Sequence, residues 1–346
     1  MQLFDKIRDG VYFIAEMSAN HAGNLENALR IVKAAKEAGA DCVKLQTYTA
    51  ETMTIDSDME SFKIKGGLWN GYTLYDLYNE AYTPWEWHKP IKLECEKLGL
   101  DFLSTPFDTM AVDFLEELGV EFYKIASFEL VDIPLIEYVA RLQKPIIISC
   151  GMGSIEEIQD ALDACRNQGN MEIILLKCTS EYPANYSNMN LSVIADLNKR
   201  FGVKVGLSDH SMGIIAPIVA ASLGACVIEK HFCLSREIKN PDSEFSLEPH
   251  EFKEMVESVR IAISAKGKVD YSLSEGEKAS TVFRRSIFAV NDIRAGDVFT
   301  KENIRIIRPG YGAKPKLYHK LLIGTASVKS YSRGEPISDE NIIFDE

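Results

Sequence analysis

Eight short runs rich in β-branched and aromatic residues recur between residues 11 and 232, separated by stretches whose apolar residues step every three or four positions. The runs are VYFIAEMS from Val11, DCVKLQTY from Asp41, DFLSTPF from Asp101 and EFYKIASFE from Glu121, then PIIISCGM from Pro145, EIILLKCTS from Glu172, KVGLSDHS from Lys204 and CVIEKHF from Cys226. Near-continuous apolar strands alternating with helices form a parallel sheet covered by those helices. Eight is the number that closes into a (β/α)8 TIM barrel, and an open doubly wound sheet is the alternative architecture. The helical stretches carry their own punctuation. LENALRIVKAAKEAGA from Leu25 ends at Gly39 as a capped helix does, and SIEEIQDALDACRNQG from Ser154 starts on a Ser154/Glu157 capping box.

The polar residues of these runs gather at their C-terminal ends, the face on which barrel enzymes carry their active sites. One connection, residues 49–100, is much longer than the rest. It holds KGGLWNGYTLYDLYNE from Lys65 and a helix beginning near Pro84, as expected of a substrate-recognition or closing loop. The barrel pattern ends with a helix from about Pro249 to Ala265, and the polar KGKVDYSLSEGEKAS reads as a linker. Beyond it, DIRAGDVFTKENI from Asp292 is echoed by SYSRGEPISDENI from Ser330, which suggests a small β-rich module. The expected division is a barrel over 1–268, a linker over 269–285 and a β-rich domain over 286–346.

Net charge excludes some partners. With 38 basic against 51 acidic residues the chain carries −13, so a nucleic-acid backbone or an anionic membrane would be repelled over most of the surface. No stretch approaches the roughly 18–20 apolar residues of a membrane span, and MQLFDKIRDG has no long apolar segment after its charges. Seven cysteines without a CxxC pair read as buried reduced thiols. A soluble, cytoplasmic protein is expected.

Two histidines, His210 and His231, end the seventh and eighth runs, so their imidazoles can converge on one divalent ion of the Zn, Mn or Fe type. Either histidine alone could simply cap a strand. Glu16 ends the first run, the neighbour of the eighth in a closed barrel, and could orient or deprotonate a water there, or serve only as an ion-pair partner of Lys44 or Lys230. Lys44 and Lys124, with Ser104, Thr105, Ser127, Ser149 and Ser208, make a ring of cations and donors suited to a phosphate and a carboxylate on one small molecule. The same lysines would serve a Schiff-base aldolase, and a carbohydrate-binding protein is a non-enzymatic alternative.

Seven segments in order, AEMSANHAGNLENAL, DCVKLQTYTAE, FLSTPFD, YKIASFE, LKCTSEYP, VGLSDHS and IEKHF, resemble the sialic acid synthase family over essentially the whole chain. The C-terminal module resembles that family's antifreeze-like (SAF) domain. The resemblance implies an enzyme that condenses phosphoenolpyruvate with an N-acetylated amino sugar, using a divalent metal, usually Mn2+, with Mg2+ or Co2+ as alternatives. It implies that His210 and His231 bind the metal, that Glu16 is the acid/base residue, and that Lys44, Thr105, Lys124, Ser127, Ser149 and Ser208 hold phosphoenolpyruvate, with Ser104 beside them. Gln46, Glu129, Tyr182 and Asp242 would contact the sugar, and Asp209 is assigned with them. A domain-swapped homodimer is implied, with Arg308 of IIRPGYG reaching the sugar's N-acetyl group. SANHAG and KGGLW resemble the branch of the family that makes pseudaminic acid, which puts Trp69 and Asn70 at the sugar. N-acetylneuraminic and legionaminic acid synthesis are the alternatives.

Overall fold

The computed structural model describes residues 3–7 and 10–338 and divides into two compact units, Met1–Gly267 and Lys268–Glu346. In the first, eight strands form one parallel sheet: β1 (Tyr12–Glu16), β2 (Cys42–Thr47), β3 (Asp101–Pro106), β4 (Tyr123–Ile125), β5 (Ile146–Ser149), β6 (Ile173–Cys178), β7 (Lys204–Asp209) and β8 (Val227–His231). Their order is β3-β2-β1-β8-β7-β6-β5-β4, and the end strands β3 and β4 lie side by side, so the sheet curls into a nearly closed TIM-like barrel. The open doubly wound alternative is set aside.

Alternation along each strand divides the barrel into an inside and an outside. Tyr12 and Ile14, Cys42, Leu103, Ile147, Ile174 and Leu176, and Val227 pack against one another and fill the interior, with Leu3 and Ile7 below them. The intervening residues, such as Phe13, Ala15, Val43, Leu45, Ile148, Leu175 and Ile228, join the helices in a larger outer core. Each fully buried Ile or Leu is worth about 1.5–3 kcal/mol. Gly206 on β7 marks how tightly the inner layer is filled, because a Cβ there would sit 2.4 Å from the Val227 carbonyl oxygen and 2.6 Å from Leu176 Cδ2.

Local signals placed the helices. The Asn24 side chain accepts from the Glu26 and Asn27 amides to start Leu25–Glu37, and Ser154 and Glu157 form the reciprocal box that starts Ile155–Asn167. The long β2–β3 connection holds the helices Ala50–Met53, Leu74–Ala81 and Trp85–Leu98. Among the described residues no helix is long and apolar enough to cross a membrane. All seven cysteines are free, and only Cys226 is more than slightly exposed.

The second unit contains the antiparallel pair β9 (Ser286–Ala289) and β10 (Ile304–Ile307), over a small core of Ile287, Ile293, Phe299, Ile304, Tyr331 and Ile337. The echoed segments are bridged at Ile293 and Tyr331, and each turns on a glycine with positive φ, Gly296 at 91° and Gly334 at 94°. The end of the second echo, residues 339–342, lies outside the described residues. The segment read as a plain linker is not structureless. It holds the helix Glu275–Ser280, started by a Ser274/Glu277 capping box that was present in the sequence.

Candidate functional site

Above the apolar layers, the inward positions of the strands turn polar. Glu16 on β1, Lys44 and Gln46 on β2, Thr105 on β3 and Lys124 on β4 follow the interior parity. So do Ser149 on β5, Cys178 on β6, Ser208 on β7, and Glu229 and His231 on β8. The β1 register sets Glu16 beside both Lys44 and His231, and Ser208 stands opposite Glu229. Over them opens a cavity of about 370 Å3. It is lined by Lys44, Gln46, Trp69, Lys124, Ser127, Glu129, Ser149, Tyr182, Ser208, His210, His231 and Asp242, and also by Ser18, Cys178 and Glu229.

Charges here are paired but not all satisfied. Lys44 Nζ lies 2.5 Å from Glu16 Oε2 and 3.8 Å from Glu229 Oε1, and it donates to Thr105 Oγ1 at 3.3 Å. Lys124 Nζ donates to Ser149 Oγ at 2.6 Å and lies 3.9 Å from Glu229 Oε1, which also accepts from Ser208 Oγ at 3.1 Å. Glu16 Oε1 and Glu229 Oε2 are buried without hydrogen-bond partners. Burial drives Glu16 up to about 7 even though Lys44 opposes it, with the Glu229 carboxylate adding to the rise. For Glu229 the burial penalty is overcome by Lys124 and Lys44, which hold it below the usual carboxylate range. One carboxylate of the pair is thus poised near neutrality while the other stays ionised.

The two imidazoles face each other with ring centroids 5.4 Å apart. His210 Nδ1 donates to the Thr179 carbonyl at 3.1 Å, an arrangement that leaves Nε2 with its lone pair free. His231 Nδ1 is buried without a partner, and burial followed by the neighbouring cations pushes this imidazole well below its ordinary value, so it is neutral. For His210 the burial penalty is overcome by Cys178 and the Thr179 carbonyl, which raise it above the ordinary imidazole value, so this ring would give up its proton on binding an ion. Two facing rings, each with an unspent nitrogen, fit a divalent ion. Among the described residues no group of three or more His, Cys, Asp or Glu forms a ready-made cage, so such an ion would keep positions open for water or substrate.

Period two also decides which expected site residues the cavity lacks. Ser104 and Asp209 have outward parity. Ser104 Oγ shares a 2.6 Å hydrogen bond with Thr47 Oγ1, which in turn meets His88 Nε2 at 2.8 Å. Asp209 is fully buried against Lys230, with Oδ2 2.5 Å from Nζ, and its Oδ1 accepts from the Ser211 amide. Neither residue lines the cavity, and each bonds within the barrel wall, away from the position at substrate expected of it. Thr105 and Glu16 reach the site through Lys44 and do not line the cavity. Asn70 caps the Gly66 amide at 2.7 Å on the exposed turn and does not line it either. Arg308 is exposed in the second unit, just after β10. Glu229 was missed as a site residue, although its two-residue spacing from His231 was the signal for it.

Trp69 donates its indole N–H to the Pro241 carbonyl at 3.0 Å, so it offers the cavity a ring and no donor. Its ring lies 5.4 Å from Tyr182, which lies 4.3 Å from His210, while Phe245 supports both Tyr182 and His231. Asp242 Oδ2 accepts from the Ala19 amide at 2.9 Å, tying the β8 loop to the turn after β1.

Glu129 gives a pH signature. Its carboxyl is pushed by burial from 4.5 to about 7, with Lys124 opposing, and Oε2 has no partner. A raised carboxyl stabilises the fold fully below its unfolded value and loses that contribution as pH climbs through the folded value. Glu129→Gln does not titrate. The stability of wild type minus that of the variant, from urea melts, should therefore fall by about 2–3 kcal/mol between pH 4.5 and 7 and then level off. A flat difference would contradict this environment.

The sequence profile of the NeuB family matches residues 31–271, and that of the SAF domain matches residues 284–344. A pseudaminic acid synthase of Campylobacter jejuni is 45% identical over 96% of this chain and 96% of its own. An N,N'-diacetyllegionaminic acid synthase of Legionella pneumophila is 35% identical over 96% and 94%. The solved N-acetylneuraminic acid (sialic acid) synthetase of Leptospira borgpetersenii matches with a TM-score of 0.71 and 31% identity, covering 79% of this chain and 90% of that one.

Proposed function

The chain belongs to the NeuB family, and from that premise we propose that it is a pseudaminic acid synthase, joining phosphoenolpyruvate to 2,4-diacetamido-2,4,6-trideoxy-altrose and releasing phosphate. The observation that carries this reading is the ten-point gap in identity, 45% to a pseudaminic acid synthase against 35% to a legionaminic acid synthase at equal coverage of this chain. The cavity supports it. Two buried lysines with hydroxyl donors suit a substrate bearing phosphate and carboxylate, and an aromatic stack leads from His210 to Trp69.

In the reaction, C3 of phosphoenolpyruvate attacks the aldehyde carbon of the open-chain sugar, water adds at C2, and the C2–O bond breaks to release phosphate. Lys44 and Lys124, with Ser127, Ser149 and Ser208, hold the phosphate and carboxylate while charge shifts at C2. Glu16, poised near neutrality beside Lys44, is the acid/base residue of this proposal and exchanges protons with the site through Lys44, taking up the proton of the adding water and returning it to the new alkoxide by the same route. Gln46, Glu129, Tyr182 and Asp242 orient the sugar. A divalent ion on His210 and His231, Mn2+ in this proposal with Mg2+ or Co2+ as alternatives, would act as a Lewis acid on the aldehyde oxygen. A partner subunit in a domain-swapped homodimer supplies Arg308 to the N-acetyl group, and the cytoplasm is where phosphoenolpyruvate is available.

Mass spectrometry of products from phosphoenolpyruvate with the altrose acceptor, the legionaminic acid precursor or N-acetylmannosamine tests the assignment. The expected result is a kcat/KM for the altrose about 100-fold above either other sugar, near the ceiling that small apolar and hydroxyl differences reach. A preference for either other sugar would reassign the product.

A further inference from the structure

The helix Leu74–Ala81 is amphipathic in an unusual direction. Thr73 caps it by accepting from the Asp76 amide, and Asp76, Asn79 and Glu80 are exposed to solvent. Leu74, Leu77, Tyr78 and Ala81 fall at i, i+3, i+4 and i+7 on one face. Such a stripe ordinarily packs on a core. Here all four residues line the catalytic cavity.

Two further residues extend this face. Ile64, held by backbone hydrogen bonds to Tyr72 and Gly71, lines the cavity, as does the Trp69 ring, whose N–H is already spent on Pro241. The wall therefore offers almost no hydrogen-bonding capacity beyond the phenolic oxygen of Tyr78. Lys44, Lys124, Glu229 and the two imidazoles line the same cavity. The charged groups rise from the strand ends, whereas the apolar wall comes from the β2–β3 connection.

We infer that the inward face of helix 74–81 is the specificity wall for the distal end of the acceptor, accepting a methyl group at C6 and rejecting a hydroxyl there. This rests on the synthase reading above. The aldehyde carbon has to lie at the charged strand-end groups to meet phosphoenolpyruvate. An extended six-carbon chain then directs its far carbon toward the apolar wall, past Tyr182, whose ring contacts both His210 and Trp69. A hydroxyl carried there loses its water and finds no partner among Leu74, Leu77 and Ala81, whereas a methyl group covers apolar surface otherwise left facing water.

The test compares kcat/KM for the 6-deoxy acceptor, its 6-hydroxy counterpart and its 4-hydroxy counterpart in wild type, Leu74→Asn, Ala81→Ser and Tyr78→Phe. Leu74 and Ala81 are only partly buried, so circular dichroism is expected to find both polar variants folded. Wild type should prefer the 6-deoxy over the 6-hydroxy sugar by about 10–100-fold. Leu74→Asn and Ala81→Ser should each cut that ratio at least about fivefold, mainly through KM, and Tyr78→Phe should leave or raise it. An unchanged 6-position ratio in both polar variants overturns the inference while the synthase reading stands. So does a change confined to the 4-hydroxy sugar, or a collapse in Tyr78→Phe, which would assign selectivity to a phenol hydrogen bond. Failure of wild type to use the 6-deoxy acceptor when it uses another amino sugar removes both.

Discussion

Replacing His210 with alanine should lower kcat by about 10³-fold or more while leaving the melting temperature within a few degrees of wild type. The asymmetry follows from where the residue sits. His210 stands just past the end of β7, above the apolar layers, and its Nδ1 donates to the Thr179 carbonyl and lies 3.8 Å from Cys178 Sγ. Its removal opens space at the rim of a cavity and no hole in the core, so little packing energy is lost. What is lost is one of two facing imidazoles 5.4 Å apart. Equilibrium dialysis with Mn2+ should show binding weakened at least about 100-fold in the variant, independently of turnover. Full activity of His210→Ala in the presence of chelator would refute the metal assignment.

Lys44→Met should damage both activity and stability. Lys44 is buried between Glu16 at 2.5 Å and Glu229 at 3.8 Å, and methionine of similar length leaves those carboxylates with Lys124 as the remaining nearby cation. Breaking a buried pair by removing one partner costs about 3–5 kcal/mol. In a domain of this size that corresponds to about 10 °C in melting temperature. The cost has a pH sign. Without Lys44, Glu16 is pushed above its present value of about 7, and protonating it relieves the unpaired charge. The destabilisation should accordingly be largest above pH 7 and shrink toward pH 5. Turnover should fall about 10²–10³-fold, the usual effect of removing one charged donor from developing charge. A variant as stable as wild type at pH 8 would show that the pair does not hold the barrel mouth together.

The barrel was legible because its strands and helices carry unambiguous periods, and the caps at Asn24 and Ser154 agree with them. The NeuB and SAF matches bear out the family and the C-terminal module named from the motifs. The site was legible to the level of strand ends, and parity within a strand separates the rest. Ser208 and Glu229 face the cavity, while Asp209 and Lys230, one position away, pair behind the wall. Counting outward from Ile14, Leu176 and Val227 would have made the division, but only once those residues were known to fill the interior. The inward stripe of helix 74–81 was readable as an amphipathic face. That it faces a cavity instead of a core depends on how the long β2–β3 connection folds back, which no local period encodes.

The most direct test of the account uses phosphoenolpyruvate carrying 18O in the bridging C2–O–P position, with the altrose acceptor and Mn2+. If the lysine-lined cavity supports attack by C3, hydration at C2 and loss of phosphate through the C2–O bond, all the label leaves in inorganic phosphate and none in the sugar acid. Label retained at C2 of the nine-carbon product would mean that the P–O bond breaks instead, and would contradict the roles of Lys44, Lys124 and Glu16 in hydration and C–O cleavage.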